Sequence, residues 1–145
     1  MNLLEELLYF YYVYDKFQKN YLNEQEAKNY FEIAIAKGRI HFVSDGAKLL
    51  GYCESWRINY DQFGRILCDL PFNIKTEDVE TGNLAYVANV TISPENRNSS
   101  VIRQLTHSFF KANIACDFFC GIARRKKHQP VKIFTKQEAY KKWAK

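Results

Sequence analysis

Glycine and proline are scarce in this 145-residue chain: six glycines and three prolines, nine breakers in all, leave little room for long irregular loops. Basic residues are absent from the extreme N-terminus, where Glu5 and Glu6 precede the apolar run Leu7–Tyr14. That pattern is not what a secretory leader is expected to show, and the run is far short of the roughly 20 residues that span a bilayer. It reads as a cytosolic helix, with no membrane partner. The four cysteines (Cys53, Cys68, Cys116, Cys120) include no C-x-x-C pair, and the three histidines (His41, His107, His128) are scattered. These spacings argue against a disulfide scaffold and offer no metal-ligand set, leaving buried thiols as the expectation. No nucleophilic serine motif is present. Repeats and low-complexity stretches are also missing, and one domain spanning 1–145 is the expectation from length.

What is present is 47% hydrophobic and 16% aromatic, the composition of a chain with a sizeable core. Leu3–Phe17 and Asn23–Lys37 read as helices, the second opened by Asn23 with Glu26 in capping-box position and closed by Gly38. Asp45-Gly46 joins two apolar runs and predicts a hairpin with positive φ at both turn positions. Tyr60–Leu70 is open between helix and strand. Asn83–Ile92 is a strand by its β-formers, Ser99–Lys111 a helix, Asp117–Arg124 and Val131–Thr135 strands, and Lys136–Trp143 a last helix. The order implies an α/β (α+β) fold, a sheet with helices on its faces.

The chain carries a formal charge of +5, and nine of its Lys/Arg residues lie between Arg124 and Lys145 against one acidic residue, Glu138. The cluster Arg124, Arg125, Lys126, Lys127 is read either as a surface for nucleic acid or an acidic partner, or as an ordinary solvated face.

The segment Val90-Thr-Ile-Ser-Pro94, followed by Arg97-Asn98-Ser99-Ser100-Val101-Ile102, is the most informative in the chain. Strand, polar turn and helix start form a natural phosphate cradle, because the first N–H groups of a helix have no internal partner. With the order of elements around it, this segment resembles the GNAT acetyltransferase superfamily, whose motif R/Q-x-x-G-x-G/A follows a strand ending in V-x-P. The resemblance runs from about Asn23 onward and implies a mixed, mostly antiparallel central sheet flanked by helices. It also implies acetyl-coenzyme A as cosubstrate without a metal, and an amine acceptor, small molecule or protein lysine. Arg97 matches the first motif position, while Ser100 and Ile102 stand where small residues are the rule. Ile102 either meets the cofactor or turns into the core with Val101, Leu105 and Phe109. Binding is expected through Val90, Ile92, Arg97, Asn98, Ser99, Ser100, Val101 and Ile102, with a backbone N–H near Val90–Ile92 facing the thioester oxygen.

The resemblance also suggests catalytic groups. Glu54, on the second hairpin strand, takes the place of a general base, or else forms a cross-strand ion pair with a Lys or Arg. Tyr140 takes that of the acid for the leaving thiolate, or is a packing residue. A narrower stretch is similar to the RTX toxin-activating lysine acyltransferases, which use acyl carrier protein: the hairpin, LAYVANVTISPENRNSSVIRQL and RRKKHQPVKIF carry that likeness. Here Asn89 sits near the position of their catalytic Asp, and no histidine precedes His41, so their dyad is not present. The second class of function is a catalytically silent binding module of the same fold.

Overall fold

The computed structural model describes residues 1–14, 22–58, 82–97, 100–121 and 133–143. In chain order these form α1 (Leu3–Val13), α2 (Glu24–Ala36), β1 (Ile40–Ser44), β2 (Leu49–Ile58), β3 (Leu84–Ile92), a short 3₁₀ turn (Pro94–Asn96), α3 (Val101–Ala112), β4 (Phe118–Gly121), β5 (Ile133–Thr135) and α4 (Lys136–Trp143). The strands make one mixed, mostly antiparallel sheet of order β1-β2-β3-β4-β5. β1 and β2 run antiparallel, β3 and β4 parallel, β4 and β5 antiparallel. The chain divides into two compact units, one of Met1–Glu54 with Asn89–Leu105, the other of Ser55–Ala88 with Thr106–Lys145.

In the first unit, two helices bury the residues that their periodicity selects: Leu7, Phe10 and Tyr11 on α1, Ala27, Phe31 and Ala34 on α2. Their common partner is Tyr52 of β2, which is fully buried and meets the Phe10 and Phe31 rings edge-on at centroid distances of 6.2 and 5.8 Å. The α2 start is as the sequence predicts. Asn23 Oδ1 accepts from Glu26 N–H at 2.9 Å, and Glu26 Oε1 accepts from Asn23 N–H at 3.0 Å. Between β1 and β2 the predicted hairpin forms, but its turn differs from expectation. Only Gly46 takes positive φ (95°), and the link runs over Asp45–Lys48. The Asp45 carboxylate supplies the missing constraint by accepting the Ala47 and Lys48 N–H groups, each at 2.9 Å. Those bonds, Lys48's foremost, hold its carboxyl below the usual range.

The second unit centres on Ala85, Phe109, Cys116, Phe119 and Ala139, with Val87, Phe110 and Phe134 around them. Helix α3 ends there on Arg57, whose Nη2 donates to the Ala112 carbonyl at 2.7 Å and whose Nε donates to Asn113 Oδ1 at 3.3 Å. A cation at a helix C-terminus answers both the orphan carbonyls and the dipole. Gly82 lies directly against Ile58, so any side chain at Gly82 would overlap the Ile58 backbone. Cys116 and Cys120 are buried free thiols, as the spacing implied, and burial pushes Cys120 up to about 12. The segments 59–81, 98–99 and 122–132, which include Cys68, Tyr60–Leu70 and the Arg124–Lys127 cluster, lie outside the described residues. Among the described residues no helix is long and apolar enough to cross a membrane.

Two stability predictions follow from local chemistry. Asn23→Ala removes one side of the capping box and is expected to lower unfolding free energy by about 1 kcal/mol in urea titrations. His41, on β1, is buried, and burial with Arg39 nearby lowers its pKa from 6.5 to about 4. Between those values the unfolded chain binds the proton and the folded chain does not. The stability is therefore complete above pH 6.5 and declines toward pH 4, by roughly 3 kcal/mol for the full interval. His41→Gln should flatten the fall of the urea midpoint between pH 7 and 4.5 relative to the wild type.

Candidate functional site

The turn that follows β3 is held to β2 by polar contacts that the sequence does not announce. Ser93, buried, directs its N–H to the Leu50 carbonyl at 3.0 Å and its hydroxyl to the same carbonyl at 3.2 Å. Asn96 Nδ2 then donates to Ser93 Oγ at 2.7 Å. The 3₁₀ turn is thereby locked in place, and Arg97, its C-cap, stands exposed just before the helix.

Helix α3 is seated by an absence. A methyl group built on Gly51 would lie 2.8 Å from Val101 Cγ1 and 3.2 Å from Ile92 Cγ1, so only glycine lets the first helical residue reach β2. Val101 and Leu105 are accordingly buried. Ser100 is exposed; its carbonyl accepts the Gln104 N–H and its hydroxyl the Gln104 side-chain amide, both at 3.0 Å. Of the two orientations open to Ile102, the structure shows the outward one, with 44% of its surface exposed. It stands on the helix's first turn beside Val101 rather than in the core.

Within β3, Asn89 has φ +54°, the one non-glycine residue in the left-handed region among the described residues. Such a residue in the interior of a strand departs from regular extended backbone and turns the chain locally. The next side chain, Val90, is 49% exposed, whereas Thr91 is buried and Ile92 half-buried. Asn89 Nδ2 donates to Glu54 Oε1 at 3.0 Å, and Thr91 Oγ1 donates to the Asn89 carbonyl at 3.2 Å. Two candidate residues far apart in sequence thus meet. Glu54 is fully buried, its Cα is paired with Ile40 of β1, and its Oε1 accepts from the Asn89 side chain. Beside it, burial foremost and the Glu54 charge second push the Cys53 thiol far up.

Tyr140 belongs to the second unit, 60% exposed on α4, with its ring edge-on to Phe110 at 5.9 Å. Asn98 and Ser99 lie outside the described residues. Among the described residues no three His, Cys, Asp or Glu side chains gather as a metal site would require. The features missed from sequence are Gly51, Ser93 and Asn96. A glycine inside a strand run is the only signal that pointed toward the first of them.

The arrangement of these strands and helices recurs in solved structures. The fold is GNAT-like. The loading GNATL domain of CurA from Lyngbya majuscula superposes on 88% of this chain with a TM-score of 0.61 at 13% identity. A proposed acetyltransferase from Agrobacterium tumefaciens str. C58 also covers 88% of it, with a TM-score of 0.53 at 17% identity. This chain spans 65% of the CurA domain and 78% of the Agrobacterium protein. No family model matches the sequence, and no curated protein is similar to it. The GNAT likeness is therefore carried by three-dimensional arrangement.

Gly51→Ala tests whether that arrangement depends on close approach. The added methyl must displace Val101 or Ile92, and a loss of about 1–3 kcal/mol in unfolding free energy is expected, read from urea midpoints.

Proposed function

We propose that the protein is an acyltransferase that moves an acyl group, acetyl in the simplest case, from a coenzyme A thioester to an amine. The observation that carries this reading is the continuous run from left-handed Asn89 through the Ser93 latch to the exposed start of α3. In a GNAT-like fold this run lies where a thioester donor is held.

Each element of the run has a chemical task. Arg97 offers a permanent positive charge, and the Ser100 hydroxyl with the first N–H groups of α3 offers donors, which together suit a pyrophosphate. Gly51 and Ser93 keep those groups at a fixed height above β2. Beyond Asn89, the β3 backbone around Val90 and Ile92 supplies the donor for the carbonyl oxygen on which negative charge develops as the amine attacks. When bound, the thioester supplies an activated acyl carbon and a thiolate leaving group. The charged and polar residues fit such a ligand. Ile102 narrows the approach, because its branched side chain occupies the surface where the family's motif carries glycine or alanine.

Thermal unfolding with added acetyl-coenzyme A checks the reading, since a ligand specific for the folded state raises the melting temperature. Wild type should show a concentration-dependent rise, and Arg97→Ala should lose most of it. Ile102→Gly should bind acetyl-coenzyme A more tightly although the substitution weakens the helix by about 1 kcal/mol. Absence of any shift at millimolar ligand, in wild type and Ile102→Gly alike, would overturn the acyltransferase reading in favour of a catalytically silent module.

A further inference from the structure

For Glu54 the sequence left two readings open, a general base or a cross-strand ion pair, and its surroundings suggest a further task. A side chain that is fully buried in β2 has no direct path to an amine in solution. Its carboxyl oxygen Oε1 instead receives the amide of Asn89, the residue that bends β3. We propose that Glu54 is a positioning residue: it holds Asn89 in its left-handed conformation and so fixes the direction in which the β3 backbone meets the acyl donor. The inference rests on the acyltransferase reading above and gives Glu54 a role within it.

The physical argument joins two unfavourable features. Left-handed φ disfavours every residue with a Cβ, and asparagine tolerates it best because its short amide can bond locally. Even so, strained backbone persists only where its surroundings over-determine it. Here three constraints meet. Asn89 Nδ2 is tied to Glu54, the Asn89 carbonyl is tied to the buried Thr91 hydroxyl, and Ser93, four residues on, is tied to Leu50. A carboxyl oxygen in the interior needs a donor, since leaving it without one carries the full desolvation penalty. Bond and bend therefore support each other. What Glu54 must provide is an acceptor oxygen, and a negative charge or an exchangeable proton is not required for that.

The neutral isostere separates this task from base catalysis. Glutamine retains an oxygen that accepts from Asn89, so Glu54→Gln should keep the Val90 and Thr91 amide resonances close to wild type in ¹H–¹⁵N spectra. Its acetyl-coenzyme A affinity should stay within about threefold, as expected when an interaction is conserved. Glu54→Leu should shift those resonances and weaken acetyl-coenzyme A binding about tenfold or more, equal to a lost hydrogen bond to a charged group. Glu54→Leu with Asn89→Gly should recover both readouts, because glycine takes positive φ with no side-chain anchor. A role as base would leave donor affinity untouched in every variant, and that result overturns the proposal. So does a Glu54→Leu protein with unaltered amide resonances, or an Asn89→Gly partner that restores neither readout. Should Glu54→Leu not fold, Asn89→Ala against Asn89→Gly decides: only the alanine form should lose the bend and the affinity, and equal behaviour of the two overturns the proposal. If wild type binds no acetyl-coenzyme A, the acyltransferase reading falls and with it the role in donor placement, while the amide resonances alone report whether the clamp exists.

Discussion

Val101 resting on the backbone of Gly51 is the contact from which the candidate site is built. Helix packing normally keeps axes 8–10 Å from their neighbours because side chains intervene. Removing the side chain on the strand lets the helix start descend, and the polar groups of its first turn come down with it. Arg97 and Ser100 stay exposed. The Ser93 hydroxyl and N–H, both on the Leu50 carbonyl, fix the other end of the same short span. Gly51 and Leu50 are consecutive residues of β2, so one strand segment sets both the height of the helix and the position of the turn.

The interior polar pair depends on this frame. An isolated carboxyl inside a protein is costly, and a left-handed asparagine in a strand is costly as well. Placed 3.0 Å apart they offset each other, and the low local dielectric strengthens the bond between them. The direct bond couples the two residues, so a change at one is felt at the other.

Much of the architecture was legible in the sequence where local chemistry decides it. Asn23 and Glu26 cap α2 as their spacing requires, Asp45-Gly46 closes the hairpin, and the β-formers before Ile92 make β3. Element ends shifted by a residue or two, as at α3, which begins at Val101 rather than Ser99. The site was legible only in part. Arg97 and Ser100 were readable from their place before a helix, but the face of Ile102 was not. Adjacent helical residues point about 100° apart, so exposure of Ile102 depends on the helix phase, which is set by what Val101 touches across the sheet. The same holds for Asn89 and Glu54. Sequence suggested a strand position for each, and their meeting depends on strand pairing and on a φ value that no single-residue propensity encodes.

Gly82 against Ile58 carries a consequence for how this fold can vary. The two residues bracket segment 59–81, so its ends are held together by the second unit whatever lies between them. Closing a chain between two fixed neighbours costs entropy that grows only as the logarithm of its length. The entropic cost of closing that segment would therefore change little with residues inserted between Ile58 and Gly82. Diversity is cheapest at that point of the chain, provided the returning residue carries no side chain.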